Sequence, residues 1–220
     1  MLKVRLNLRK VVAIAICLAG FTVFSSCDKD DKEPPQDPLA YDDGVVINGV
    51  KWATRNVNAP GFFVANPEDV GMLYQWNRKK AWTAIGDVIS WDATTPEGNI
   101  WEKANDPSPK GWRVPTLDEI KTLFDFNVVS NEWTIENGRN GRKFTDKATN
   151  NILFLPAVSY RYDDGKLYGE DGTYGLYWSS TASESEASNA YAIEFYNLYA
   201  GSGDHYRYRN CGFSVRAVAE

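Results

Sequence analysis

The sequence predicts an α+β domain, or a mostly-β one, made of short antiparallel strands, and three observations predict it. Asparagine-glycine and aspartate-glycine pairs (Asn48-Gly49, Asp164-Gly165, Asp171-Gly172) punctuate short apolar and aromatic runs at hairpin spacing. The stretch NAYAIEFY, Asn189–Tyr196, alternates with period two. Only GWRVPTLDEIKTLF, Gly111–Phe124, carries a clear helical period, so helix is scarce.

The elements follow in order along a single domain from about Gly44 to Glu220. VVINGVKWATRNV opens it, and Asn48-Gly49 between two apolar runs signals a two-residue hairpin. In the helix, Thr116 and Glu119 form a capping box, each satisfying a free backbone N–H of the first turn. Leu117, Ile120, Leu123 and Phe124 then fall on one face. NILFLPAVSYRY is an apolar strand that ends or bulges at Pro156. YRYDDGKLY and GEDGTYGLYWSS carry the Asp-Gly turns, and DHYRYRN and GFSVRAVA close the chain as strands. The opening hairpin is expected to pair with the closing strand.

Residues 1–26 read as a signal peptide. Lys3, Arg5, Arg9 and Lys10 precede an apolar run, Val11–Phe24, that is shorter than the roughly 20 residues a membrane span needs. Ser25 and Ser26 then lead into Cys27, a seam that resembles the bacterial lipobox, with Phe24 where leucine is usual. The resemblance implies cleavage before Cys27 and lipidation of it, an anchor that holds stably with two or three acyl chains. The following DKDDKE resembles the export tag of Bacteroidetes surface lipoproteins. It implies Lys29, Asp30 and Asp31 as the export signal and an outer-membrane protein facing the cell exterior. Residues 27–43, rich in Asp, Lys and Pro, are expected to be a flexible tether reaching at most about 50 Å.

The whole chain carries −5. Four of its 24 basic residues and none of its 29 acidic ones lie in 1–26, so the chain from Cys27 carries −9. That argues against nucleic acid, whose binding rests on Lys and Arg at phosphates, and against a membrane role beyond the lipid. Of the three cysteines, Cys17 leaves with the signal and Cys27 is lipidated, so Cys211 has no intrachain partner. All eight tryptophans lie after the signal, and the core alone must hold the fold.

Five stretches, GMLYQW (Gly71–Trp76), DPSPKGWRVPTLDEI (Asp106–Ile120), LPAVSYR (Leu155–Arg161), GLYWSST (Gly175–Thr181) and GFSVRAV (Gly212–Val218), together resemble the Fibrobacter succinogenes major paralogous domain family. The resemblance implies a C-type lectin-like fold: small antiparallel sheets, one or two short helices, a loop-rich half, and paired terminal strands. Ser108 and Ala217 stand where many relatives have cysteine. The calcium-binding sugar motifs of lectins are missing. The oxygen cluster Asp163, Asp164, Glu170 and Asp171 reads first as turn chemistry. RVPTLDEI also resembles a stretch of formylglycine-generating enzymes, but one free cysteine and one histidine cannot rebuild their site.

His205, the sole histidine, has no evident zinc or triad partners, and no phosphate loop or dinucleotide fingerprint occurs. No catalytic residue, metal or cofactor is therefore expected. What remains is aromatic and charged. Asp163, Asp164, Tyr168, Tyr196, Tyr199, Asp204, Tyr206 and Arg207 are the candidate ligand-binding residues, because tyrosine and arginine favour interfaces and tyrosine rings stack on sugars. Alternate tyrosines that simply pack on a sheet are the competing explanation. The expected function is a non-catalytic surface binding module for a glycan or protein. A structural or tip subunit of a surface assembly is the alternative, and an enzyme is disfavoured.

Overall fold

Strands organise almost all of the structure, a computed structural model that describes residues 37–220 and, of 202–206, the backbone alone. The signal peptide, Cys27, Lys29, Asp30 and Asp31 lie outside the described residues, as do the side chains of Asp204, His205 and Tyr206. In chain order the strands are β1 (Val45–Ile47), β2 (Val50–Trp52), β3 (Leu73–Gln75), β4 (Ala81–Trp82) and β5 (Trp112–Arg113). After helix α1 (Leu117–Thr122) come β6 (Val129–Glu136), β7 (Arg139–Asp146), β8 (Ile152–Pro156), β9 (Tyr160–Arg161) and β10 (Leu167–Tyr168). The series ends with β11 (Tyr174–Ala182), β12 (Asn189–Tyr196), β13 (Tyr199–Tyr208), β14 (Gly212–Phe213) and β15 (Val218–Ala219).

They form four sheets, ordered β1-β2-β15-β5, β10-β9-β14-β3-β4, β11-β12-β13 and β6-β7-β8, and every strand pair in them is antiparallel. This corrects the α+β expectation. Strands take 38% of the structure and helix 5%, so there is no helical layer to pack on a sheet, as that class requires. The domain is nearly all β, and the lectin-like class expected with α+β is set aside with it.

The local signals did form the elements they promised. Asn48 and Gly49 adopt φ of 46° and 81°, the paired left-handed conformation of a tight hairpin turn, and join β1 to β2 in register. Asn48 also clips that turn to its neighbours: its N–H donates to Asp146 Oδ2 at 2.8 Å and its Nδ2 to the Thr122 carbonyl at 3.0 Å. Asn137-Gly138 repeats the geometry between β6 and β7, the latter pair eight residues each. β8 ends at Pro156. In α1, both halves of the capping box are present, and Ile120 and Leu123 are fully buried. The two chain ends meet as expected: Val218 pairs with Trp52, and the Ala53 N–H donates to the Ala217 carbonyl at 2.9 Å.

The β11-β12-β13 sheet is covered on both faces, so period two in NAYAIEFY does not mean one wet face. Leu176, Trp178, Ala190 and Ala192 face a core built around Trp76 and Phe213. Tyr177, Ile193 and Phe195 face a second core with Trp52, Ile120 and Phe144. The domain's bonding also reaches back before Gly44. Buried Asp42 accepts from Gly44 N at 2.8 Å, Thr54 N at 3.0 Å and Arg55 Nε at 3.1 Å, and the Leu39 carbonyl accepts from Phe63 N at 2.6 Å.

Two measurements check this account. Asn56 Oδ1 accepts from Nε of wholly buried Arg216 at 2.9 Å; Asn56→Ala strands that donor and should cost about 2–3 kcal/mol in denaturant unfolding. Burial by itself would raise the Glu119 carboxyl, but hydrogen bonds from Arg113 and then Thr116 outweigh it and hold the group below its ordinary value. A depressed folded-state value stabilises the fold above the unfolded value of about 4.3, and the gain is lost as pH falls through the folded value. Glu119→Gln keeps the cap's hydrogen-bonding shape and should therefore flatten the acid limb of stability against pH.

Candidate functional site

Exposed and half-buried aromatic side chains gather where the β9–β10 hairpin meets the β11-β12-β13 sheet. In YRY, period two sends Tyr160 and Tyr162 one way and Arg161 the other. Arg161 is fully buried and donates to the carbonyls of Thr83 (2.9 Å), Gly165 (2.8 Å) and Gly86 (2.7 Å). Tyr160 sits opposite Tyr168 across the hairpin, their rings stacked at 5.8 Å, and Tyr162 meets Tyr168 edge-on at 6.1 Å. Gly165 turns the hairpin at φ 81°, where an added Cβ would lie 2.7 Å from the Trp91 ring.

On the facing sheet, Tyr174, Tyr196 and Tyr199 occupy directly paired positions of β11, β12 and β13. Their rings stack at 5.7 Å and 5.4 Å, distances at which offset aromatic pairs attract. Tyr160 and Tyr174, 5.9 Å apart, join the two stacks. Between them opens a cleft of about 440 Å³. Leu176, Cys211 and Phe213 give it apolar lining, Tyr162 and Tyr208 are exposed beside it, and Asn189 and Arg207 supply polar groups. Arg207 Nη2 bonds and ion-pairs with the carboxylate of buried Glu194.

Burial first, and then the charge of Asp163, pushes the Tyr162 phenol above its ordinary value; burial does the same for Tyr160. Both phenols therefore stay protonated at neutral pH and can donate. The Cys211 thiol, 1% exposed, is pushed up to about 12 by burial and behaves as a small apolar group.

Several of the sequence-predicted residues meet here. Tyr168 belongs to one stack, Tyr196 and Tyr199 to the other, and Arg207 lines the cleft. Asp163 and Asp164 sit in the hairpin turn instead: Asp164 Oδ1 accepts from Lys166 N at 2.9 Å, and the Asp163 carbonyl accepts from Trp91 Nε1 at 3.0 Å. A side-chain hydrogen bond from Lys166 is the main cause that lowers the Asp164 carboxyl. Asp171 likewise caps its own turn, accepting from Thr173 Oγ1 at 2.7 Å. Tyr160, Tyr162, Tyr174, Asn189 and Glu194 were not singled out from sequence, although the alternation in YRY was a usable sign for the first two.

Among the described residues no three His, Cys, Asp or Glu side chains gather as a metal site would need. A larger and more open groove, about 740 Å³, runs past Ile100, Trp101 and Trp112. Its two acids are already engaged: Asp106 caps Ser108 N and Val114 N, and Glu220 pairs with Lys103. The tyrosine cleft, where Arg207 Nε and Nη1 have no partner among the described residues, is the better candidate.

Residues 68–219 match the family model described as the Lcl C-terminal domain, and the chain belongs to that family. All five stretches of the sequence resemblance fall inside the matched span. No curated protein and no solved structure matches the chain.

The state of Cys211 is directly measurable. A thiol reagent at pH 8 should leave folded protein at Cys211 unmodified and label it at once in denaturant.

Proposed function

We propose that this member of the Lcl C-terminal domain family is a non-catalytic binding module, lipid-anchored in the outer membrane and facing the cell exterior. Its ligand, a glycan or a protein, enters the tyrosine cleft. The observation that carries the proposal is the cleft's composition. Apolar lining, a few convergent polar groups and a volume within the range of about 300–1,000 Å³ are how ligand sites are built. Among the described residues no nucleophile is paired there with a base, and the one thiol is buried and protonated. Cys27 is the lipidated residue, and Lys29, Asp30 and Asp31 direct export to the surface. The five ordered motifs support the finer placement with the Fibrobacter succinogenes major paralogous domain.

One feature favours the second reading, a structural or tip subunit of a surface assembly. β13, ten residues long, is an outer strand of its sheet, and an open strand edge can accept a strand from a neighbour. Stoichiometric co-purification with other surface proteins would select this reading over a binder of free ligand.

Three experiments test the proposal. Cys27→Ser should abolish labelling by a metabolically supplied fatty acid. Replacing Lys29, Asp30 and Asp31 with alanine should keep the label but protect the protein from protease added to intact cells. Tyr162→Ala and Tyr208→Ala, both at exposed rings, should shift the melting temperature little and weaken binding of whatever ligand a glycan array or pull-down identifies. A ligand whose binding ignores both changes sits elsewhere.

A further inference from the structure

The acids of the groove past Ile100, Trp101 and Trp112 are engaged, but three cations beside it are not. The chain from Cys27 carries −9, yet at physiological salt an exposed charge is felt over only about 8 Å, so local charge decides contact. In the groove lining Lys103 pairs with Glu220, and Arg113 pairs with Glu119 of α1. Asp106 accepts from two backbone N–H groups. Lys79 and Lys110 are exposed in the same lining, and neither has an acidic partner among the described residues. A third exposed lysine, Lys51, lies over the Trp112 ring at 5.9 Å, also without an acidic partner among the described residues. Ile100, 67% exposed, adds an apolar side chain to the same groove.

This side of the domain also receives the chain from its N-terminal direction. The Leu39 carbonyl accepts from Phe63 N, and the Phe63 ring meets Trp112 edge-on at 5.7 Å. A Cβ on Gly44 would fall 2.7 Å from Trp112 and 2.8 Å from Lys51. Gly61 N donates to the Pro107 carbonyl at 2.8 Å, next to the lining residues Ser108 and Pro109. Asp37 lies ten residues after Cys27, a length that spans at most about 36 Å. A lipid at Cys27 therefore keeps this side within that distance of its bilayer. The tyrosine cleft lies at the other end of β11: Tyr174 and Leu176 line the cleft, and Ser180 lines the groove. The strand from Tyr174 to Ser180 spans about 20 Å.

Given the lipid anchor proposed above, on which this inference rests, we propose that the groove docks on the anionic headgroups of the membrane that holds the lipid, and that this contact points the tyrosine cleft away from the bilayer. The lysines meet headgroup phosphates, and Ile100 reaches toward the boundary between headgroups and acyl chains. Each lysine at an anionic surface favours the contact about fivefold, so Lys51, Lys79 and Lys110 together favour it about a hundredfold. So small a patch would bind weakly alone, but the tether holds it over the bilayer at high effective concentration. An acidic protein would meet the same lysines, but nothing in the chain holds one there.

The test uses the protein purified with its lipid from membranes, its acyl groups checked by mass spectrometry. It is added from detergent to preformed vesicles of phosphatidylcholine alone or of phosphatidylcholine with about one third phosphatidylglycerol. A water-soluble reagent then acetylates the lysines, and the rate is read residue by residue. Lys51, Lys79 and Lys110 should react about tenfold more slowly on the anionic vesicles than on the neutral ones, and about 0.5 M NaCl should remove the difference. Lys166, on the β9–β10 hairpin beside the cleft, should react equally on both. Replacing the three lysines with glutamine should leave the melting temperature unchanged and return Lys103 to its rate on neutral vesicles. Should that variant fail to fold, the salt series on the unaltered protein decides. Equal rates at the three lysines on both vesicles, from an acylated protein, overturn the docking and leave the anchor standing. Equal protection of Lys166 overturns the orientation. Protection on neutral vesicles by inorganic phosphate or by added polyglutamate, and none from phosphatidylglycerol, overturns the membrane as the partner. A protein without acyl groups at Cys27 overturns the anchor and the docking together.

Discussion

Arg216 is wholly buried, and no carboxylate meets it among the described residues. Burial pushes its pKa down to about 10, which still leaves a full charge in the interior at neutral pH. A buried cation must be met by dipoles, and here they come from the chain's other end: the carbonyls of Ala53 (3.3 Å) and Thr54 (2.6 Å) and the side-chain oxygen of Asn56. Asn56 in turn donates to the Val70 carbonyl at 2.9 Å and the Tyr177 hydroxyl at 3.4 Å, and Tyr177 donates to the Pro156 carbonyl at 2.6 Å. Pro156 ends one sheet and Tyr177 runs through a second, while Arg216 lies on the stretch between β14 and β15, which belong to the other two. All four sheets therefore meet at one polar knot inside an otherwise apolar interior.

The same device holds the irregular segment from 83 to 98, which has no strand or helix to satisfy its carbonyls. Arg161 takes those of Thr83, Ile85 and Gly86; Arg209 takes Pro96 and Gly98 while stacking over Trp76 at 4.3 Å; Arg78 takes Thr94. Gln75 adds a bond to the Asp92 carbonyl at 2.6 Å. A guanidinium suits this task because its five donors are fixed in a fork and it is weakly hydrated. Gln75, Arg161 and Arg216 all sit in stretches that carry the family resemblance. Those motifs thus report how the domain is held together, and a likeness in them speaks to architecture before ligand.

What was legible in the sequence was local. Asn48-Gly49, the Thr116–Glu119 box and Pro156 each act within a few residues, and each set its element. Asn137-Gly138 spells the same turn as Asn48-Gly49, with the same φ values, and was equally available. The α+β class failed because one well-formed helix says nothing about what fills the aperiodic stretches, and here those stretches are held by arginine-to-carbonyl bonds without further helix. The end of the tether was drawn at Gly44 because Asp42 and Asp43 look like solvated charge; only the contact with Thr54 and Arg55 shows Asp42 to be interior. The candidate site was half visible for a similar reason. Tyr196 and Tyr199 flank a turn and could be paired from sequence. That Tyr174 lies opposite Tyr196 depends on strand register, and that Tyr160 touches Tyr174 depends on how two sheets pack.

The tyrosine stacks also dissolve the choice between a structural and a functional origin for these residues. Cross-strand aromatic pairs stabilise a sheet, so Tyr160, Tyr174 and Tyr196, each flanked by rings, already give much of their faces to one another. The stacks leave to a ligand their outer rings, the hydroxyl edges and the gap where the two stacks meet. Tyr160 and Tyr174 line that gap with their rings in contact, and Arg207 lines it with its guanidinium held by Glu194. The fold's own stabilising contacts thus preorganise the cleft, which lowers the entropy that a ligand would otherwise lose in ordering it.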